Sequence, residues 1–389
     1  MLSEGMRISF VTETFPPDLN GVAMSVSRAI EGLRARGHQV ELVRPRQAHE
    51  RCRESAGELR TPGLPIPMYR DLRIGLPVVH TLAARWTDEC PDLVHVATPG
   101  PLGWAAIRAA RMARVPVTSD FRTDFERYSE HYGLGWCRIL IGNYLRRFHN
   151  GTDLTFVPTP QLRSRLTTQG YRRLEVIGRG VDARLYSPHR RSEALRRQWS
   201  AGSDDPVALY VGRVAAEKNI DLALRAYEAM RQRNARAKLV VVGDGPLRAR
   251  LRQQAPTAIF VGRQEGAQLA AYYASADIFL FPSLTDTFGN VVLEALASGL
   301  AVVAFRAGAA EVHVTDSING VLAELGDELD FIACACAVMQ QFSRLDPLRK
   351  AARETAEAVS WSAVTGRFES CLTEVARAIQ APLHRACPA

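Results

Sequence analysis

At 389 residues and 47% hydrophobic content, the chain is longer than one hydrophobic core usually serves, so two soluble globular domains are expected. Its seven cysteines are odd in number and scattered, with only Cys334 and Cys336 close together, which excludes a disulfide framework and a zinc spacing. No uninterrupted apolar run approaches the roughly 18 residues of a transmembrane helix.

The net charge of +8 is uneven. Residues 1–200 hold 30 Arg, no Lys and 20 acids, a net of +10, while residues 201–389 hold 19 Lys plus Arg against 21 acids, a net of −2. A basic first half suits an anionic partner such as a membrane surface, with plain solvated charge as the alternative. No nucleic-acid motif is present, so nucleic acid is not expected as a partner. No long apolar segment precedes Glu13, so no leader peptide is expected. The scattered thiols fit a reducing cytoplasm, with peripheral attachment to the inner membrane face if the basic half meets lipid.

Residues 7–12 read as an apolar strand, 13–20 as a Pro-containing loop, and Gly21 leads into a helix to about residue 36. A strand at 40–43 completes a βαβ opening. Gly21 either lets a diphosphate approach the backbone or makes an ordinary βα turn. Residues 44–75, rich in Arg, Pro and Gly, read as an extended excursion. The strand at 93–97 carries His95 near its C-terminal end, where ligands bind in parallel α/β sheets; a core histidine is the alternative. After the strand at 115–119 come Asp120 and Arg122, whose planar fork suits a phosphate or an acidic acceptor, or else pairs with Asp120 or Asp124. Tyr128–Gly133 then leads to an amphipathic basic stretch, 137–149, able to lie on a membrane or to pack as a plain helix. A strand at 154–157, a helix to about Gly170 and the segment 176–182 close the first half, and the polar run 190–205 precedes the next strand, at 207–211.

That strand runs into Gly212-Arg213-Val214-Ala215-Ala216-Glu217-Lys218. Arg213 and Lys218 bring two cations to a strand end and helix start, where a departing diphosphate needs its charge met. Lys218 is one of only three lysines in the chain. Gly243-Asp244-Gly245-Pro246 begins like a dinucleotide fingerprint but lacks the third glycine, so no such site is expected there. An apolar strand at 277–282 then leads through Asp286, a Phe288-Gly289 turn and Asn290 into a helix ending at Gly299. The unpaired amides of that helix start favour anions and hydroxyls. Asp286 before it and Glu294 one turn inside it are placed to bind sugar hydroxyls, unless they are a helix cap and a solvated glutamate. Beyond a strand at 302–305 the sequence becomes mainly helical, with a last helix at about 361–379 and a frayed tail, 381–389.

The stretch from Asp286 to Glu294 resembles the E-x7-E signature of retaining, family-4 glycosyltransferases of the GT-B fold, with Asp286 at the first Glu as in GDP-mannose-dependent α-mannosyltransferases and sulfolipid-synthase-like enzymes. The G-R-x-x-x-E-K of Gly212–Lys218 resembles a second family signature, and Val176–Asp182 the strand-to-linker segment. The resemblance spans nearly the whole chain. It implies that Gly21 lies against the donor phosphates, that the loop with Gly262 and Arg263 backs the base, that Phe288, Gly289 and Asn290 line the donor site, that Glu294 holds the ribose hydroxyls and Asp286 the donor-sugar region. It implies a last helix packed back on the first domain. Many members carry a His near the donor sugar where this chain has Arg122.

The expected architecture is α/β: two Rossmann-like domains, 1–180 for the acceptor and 181–360 for the donor, facing across a cleft, with the helix of 361–389 returning to the first. The expected reaction moves a hexose from a nucleoside diphosphate sugar to a lipid or glycan hydroxyl with retention. Arg213, Lys218, Asp286, His95 and Arg122 are the candidates for the chemistry. No metal and no cofactor are expected beyond the sugar nucleotide as co-substrate. GDP-mannose is the first choice of donor, with UDP-glucose and UDP-sulfoquinovose next. A nucleotide-sugar 2-epimerase and a silent binding subunit are the rivals.

Overall fold

The computed structural model describes residues 5–384, except 17, 19–20, 48–49, 51–53, 56, 67–68, 123–137 and 285. Asp124, the 128–133 segment and Cys137 therefore lie outside the described residues. These fall into two compact units, one formed by residues up to 122, 138–178 and 361–384, the other by 179–360.

The strands of the first unit are β1 (Arg7–Val11), β2 (Gln39–Pro45), β3 (Glu54–Ser55), β4 (Glu58–Thr61), β5 (Gly63–Ile66), β6 (Tyr69–Gly75), β7 (Leu93–Val96), β8 (Val117–Asp120), β9 (Leu154–Val157) and β10 (Leu174–Val176). Eight of them form one sheet in the order β10-β9-β8-β7-β1-β2-β4-β3, parallel except for the β3–β4 pair. Residues 44–75 are thus not one excursion. Part of the segment extends the sheet through β4, with Leu59 and Thr61 buried, and part forms the β5–β6 hairpin. Ile8, Phe10 and Val11 of β1 are all buried, as expected for a parallel strand covered on both faces. One face receives Val26, Ile30 and Leu33 from the helix Gly21–Ala35 and Phe368, Leu372 and Ala376 from the last helix, Trp361–His384. That helix runs five residues past its expected end. Gly32 admits it, since a Cβ there would fall 2.6 Å from Thr365 Oγ1. His38 Nε2 meets Glu369 at 2.8 Å while its Nδ1 accepts the Met6 amide, tying the helix to the end of the first βα unit.

The second unit holds β11 (Val207–Val211), β12 (Lys238–Val242), β13 (Ile259–Gly262), β14 (Ile278–Phe281), β15 (Ala301–Phe305) and β16 (Gly320–Ala323). They form one parallel sheet in the order β13-β12-β11-β14-β15-β16. β16 falls in the part expected to be mainly helical. Beneath the sheet, Asp277 is buried against the fully buried Arg196 at 3.1 Å and accepts the Val207 amide at 3.0 Å.

Each sheet has one place where the strand order reverses. β1 lies between β2 and β7, and β11 between β12 and β14. Loops leaving such a pair of strands diverge, opening a crevice at their carboxyl ends where ligands bind in doubly wound sheets.

Candidate active site

In the second unit the two loops at the reversal are those picked out by sequence. The first follows β11. Gly212 takes a φ of +156°, Tyr210 donates its hydroxyl to the Arg213 carbonyl at 3.0 Å, and a single 3-10 turn, Ala216–Lys218, ends at Asn219 in the left-handed region. The Gly243–Pro246 turn supports this loop from behind. Val214 N–H donates to the Asp244 carbonyl, and a Cβ on Gly243 would fall 1.9 Å from the Gly212 carbonyl oxygen. Its glycines thus serve close backbone packing.

The second loop follows β14. Gly289, with φ +89°, starts the helix Asn290–Ala297. The Phe288 ring is buried against His313, and its carbonyl accepts the Ala309 amide at 2.6 Å, so the turn is anchored from below. An ion pair joins the two loops: Lys218 Nζ donates to Asp286 Oδ1 at 2.6 Å. Asp286 Oδ2 is buried without a hydrogen-bond partner among the described residues. A buried acceptor left open by the chain is suited to a donor that arrives with a ligand. Arg213 lies on the first loop, 3.4 Å from Glu217, with its side chain 35% exposed.

Glu294 sits one turn inside the helix, partly exposed. It accepts the Tyr273 hydroxyl at 2.9 Å and a second bond from Tyr186. Burial pushes its carboxyl up to about 7, against the opposing effect of both hydroxyls. Neither tyrosine was found by sequence reasoning, because each lies far from Glu294 along the chain. Gly262 and Arg263 stand at the end of β13, two strands from β11; Arg263 is half-exposed and pairs with Glu265 at 2.6 Å.

In the first unit Gly21 starts its helix, and among the described residues a Cβ there would meet nothing within 4 Å, so packing does not demand glycine. His95 has no exposed surface. Its ring lies against Phe10 and Phe368, Nδ1 meets Thr118 Oγ1 at 2.9 Å, and Nε2 meets Asp120 at 3.1 Å. The core reading of this histidine therefore fits, with Asp120 as its link to Arg122. Arg122 pairs with that same Asp120 and donates to Ser25 Oγ, its side chain 4% exposed, so it is a buried cation rather than a surface one. Sequence reasoning also passed over Glu13, in the loop after β1. Its N–H donates to Thr98 Oγ1, its Oε1 accepts the Leu102 amide at 3.0 Å, and burial lifts its carboxyl to about 7. The only local signal was a carboxylate just past a central strand.

Residues 19–185 match the family described as Glycosyltransferase Family 4, and residues 205–341 match Glycosyl transferases group 1. A GDP-mannose-dependent alpha-mannosyltransferase of Mycobacterium tuberculosis is 37% identical over 331 residues, which cover 83% of this chain and 85% of that protein. The chain belongs to glycosyltransferase family 4. A sulfoquinovosyl transferase of Arabidopsis thaliana is 29% identical to this glycosyltransferase over 95% of its chain and 74% of the relative. The sucrose-phosphate synthase of Thermosynechococcus elongatus shares its fold, with a TM-score of 0.79 at 20% identity over 95% of this chain and 99% of that one. The two units are accordingly the two Rossmann-like domains of the GT-B fold. Among the described residues of the glycosyltransferase, no group of three or more His, Cys, Asp or Glu side chains is placed to hold a metal ion, and no helix is long and apolar enough to cross a membrane.

Proposed function

We propose that this glycosyltransferase moves mannose from GDP-mannose to a lipid or glycan hydroxyl with retention at the anomeric carbon. The observation that carries the reading is the Lys218–Asp286 pair joining the two loops at the β11–β14 reversal, with Asp286 Oδ2 left open to a donor. When the bond from the anomeric carbon to the bridging oxygen breaks, its electron pair passes to the diphosphate. Arg213 and Lys218 meet that growing charge as fixed cations, without a metal. Asp286 orients Lys218 and offers its free oxygen to a donor hydroxyl. Glu294 accepts from the ribose, the amides of Gly289 and Asn290 face the phosphates, and Gly262 and Arg263 back the base. The acceptor oxygen bonds to carbon on the face the phosphate leaves, and its proton passes to that phosphate. In the first unit Gly21 gives the diphosphate room, and Arg122, held by Asp120 and Ser25, offers a fixed cation, with His95 as a positioning residue behind Asp120.

Mannose and GDP are favoured by the likeness to enzymes named for them. The sulfoquinovosyl relative keeps a UDP-sugar as the second reading. The basic first half supports action at an anionic membrane surface on the cytoplasmic side, and a lipid acceptor with it. A thermal-shift panel of nucleoside diphosphates and their sugars tests the donor, because stabilisation tracks affinity. GDP and GDP-mannose are expected to raise Tm most; a larger shift with UDP-sugars would move the assignment to the second reading.

A further inference from the structure

The flank of the first unit carries a groove of about 1090 Å³ between the helices Pro101–Met112 and Arg138–His149. Five exposed arginines line it: Arg108, Arg111, Arg146, Arg147 and Arg172. Arg111 donates to the Gly151 carbonyl, and Arg146 to the Gln169 carbonyl and Asn143 Oδ1. Among the described residues none of the five has a carboxylate within ion-pair distance, although elsewhere the chain pairs its arginines freely, as at Arg44, Arg60 and Arg85. A second hollow shares Arg108 and Arg111 and continues the surface past Met112, which is 57% exposed. At the other end of the 138–149 helix, Ile139 and Leu140 are 76% and 65% exposed.

Unpaired like charges repel one another, and large exposed aliphatic side chains gain nothing from water. Both are relieved by the same partner, one that is negatively charged at its surface and apolar just beneath. We infer that this face seats the enzyme on an anionic phospholipid surface, with the arginines among the headgroup phosphates and Ile139 and Leu140 dipping below them. The inference rests on the membrane reading proposed above and adds where the contact lies. It is independent of the donor chemistry, since no residue assigned to the sugar nucleotide lines the groove.

The test uses the full chain with phosphatidylglycerol or phosphatidylcholine vesicles, sedimented at rising salt. Arg108→Glu/Arg147→Glu removes no hydrogen bond seen for either side chain. Arg197→Glu/Arg252→Glu makes the same charge change on exposed positions of the second unit. The parent and the control pair should bind phosphatidylglycerol vesicles in a salt-sensitive way, while the groove pair should bind about tenfold less or weaker still. Leu140→Ser should lose the part of binding that survives high salt. Equal binding by the groove pair and the parent would overturn the placement and leave the membrane reading standing. No binding by the parent, or equal binding to both lipids, would overturn both. Loss of vesicle binding to millimolar inorganic phosphate at constant ionic strength would overturn the surface in favour of a small-anion site.

Discussion

The Glu294 carboxyl loses its proton near 4.5 in an unfolded chain and near 7 in the folded one, because burial penalises its charge more than the two tyrosine hydroxyls support it. Between those values the folded protein binds more protons than the unfolded chain, so this group's effect on stability worsens as pH rises through the window and is fully unfavourable above about 7. Glu294→Gln, which copies the protonated form, should therefore stabilise the protein at pH 8, by on the order of 1–3 kcal/mol, and change little at pH 5. Denaturant unfolding at both values checks this. Ligand binding should move the other way. Ribose hydroxyls donate to the ionised carboxylate, so the Gln variant should bind GDP about tenfold or more weakly at pH 8, at roughly 1.5–3 kcal/mol per charge-assisted bond. Titration calorimetry of parent and variant measures it; equal affinities would remove Glu294 from the ribose. Sequence reasoning placed Glu294 on its helix but missed this behaviour, because the burial that raises it and the hydroxyls of Tyr186 and Tyr273 that oppose it come from parts of the chain far from Glu294 in sequence.

At the scale of elements, the site depends on turns held by backbone packing. Gly308 has a φ of +57°, and a Cβ there would fall 2.5 Å from the Phe288 carbonyl oxygen and 3.5 Å from that of Asp286. Gly308→Ala combines left-handed strain with a clash against backbone, so it should cost about 1–3 kcal/mol and displace the Phe288-Gly289 turn. The expected readout is a lower denaturation midpoint together with a raised KM for the donor, and an unchanged KM would show that the turn is not displaced. Both site loops were legible because each follows a continuous apolar strand, Val207–Val211 or Ile278–Phe281, and begins a helix. The strands at Glu58–Thr61 and Gly320–Ala323 were not. Each exists by pairing with a neighbour, β2 or β15, that sequence alone does not identify.

At the scale of the whole molecule, the last helix completes the first unit. Leu372 is fully buried among residues that include Phe10 and Phe156, so Leu372→Ala should destabilise by roughly 2–5 kcal/mol. GDP affinity should change far less, since of the proposed nucleotide contacts only Gly21 and Arg122 lie in the first unit; chemical denaturation and GDP titration of the same variant separate the two effects. The two-domain plan was legible from length and from the strand–helix alternation, whereas the clasp of Glu369 on His38 joins positions 331 residues apart and leaves no local mark. The claim on which the account turns is that fixed cations, and no metal, meet the charge of the leaving diphosphate. The most direct measurement is the steady-state rate of GDP release from GDP-mannose, in EDTA, by the parent, Arg213→Ala and Lys218→Ala, alongside GDP affinity. The parent should keep its rate in EDTA, and each variant should lose on the order of a hundredfold in kcat with a smaller loss in GDP binding, because the charge grows along the reaction. A parent silenced by EDTA, or a variant at full rate, would contradict it.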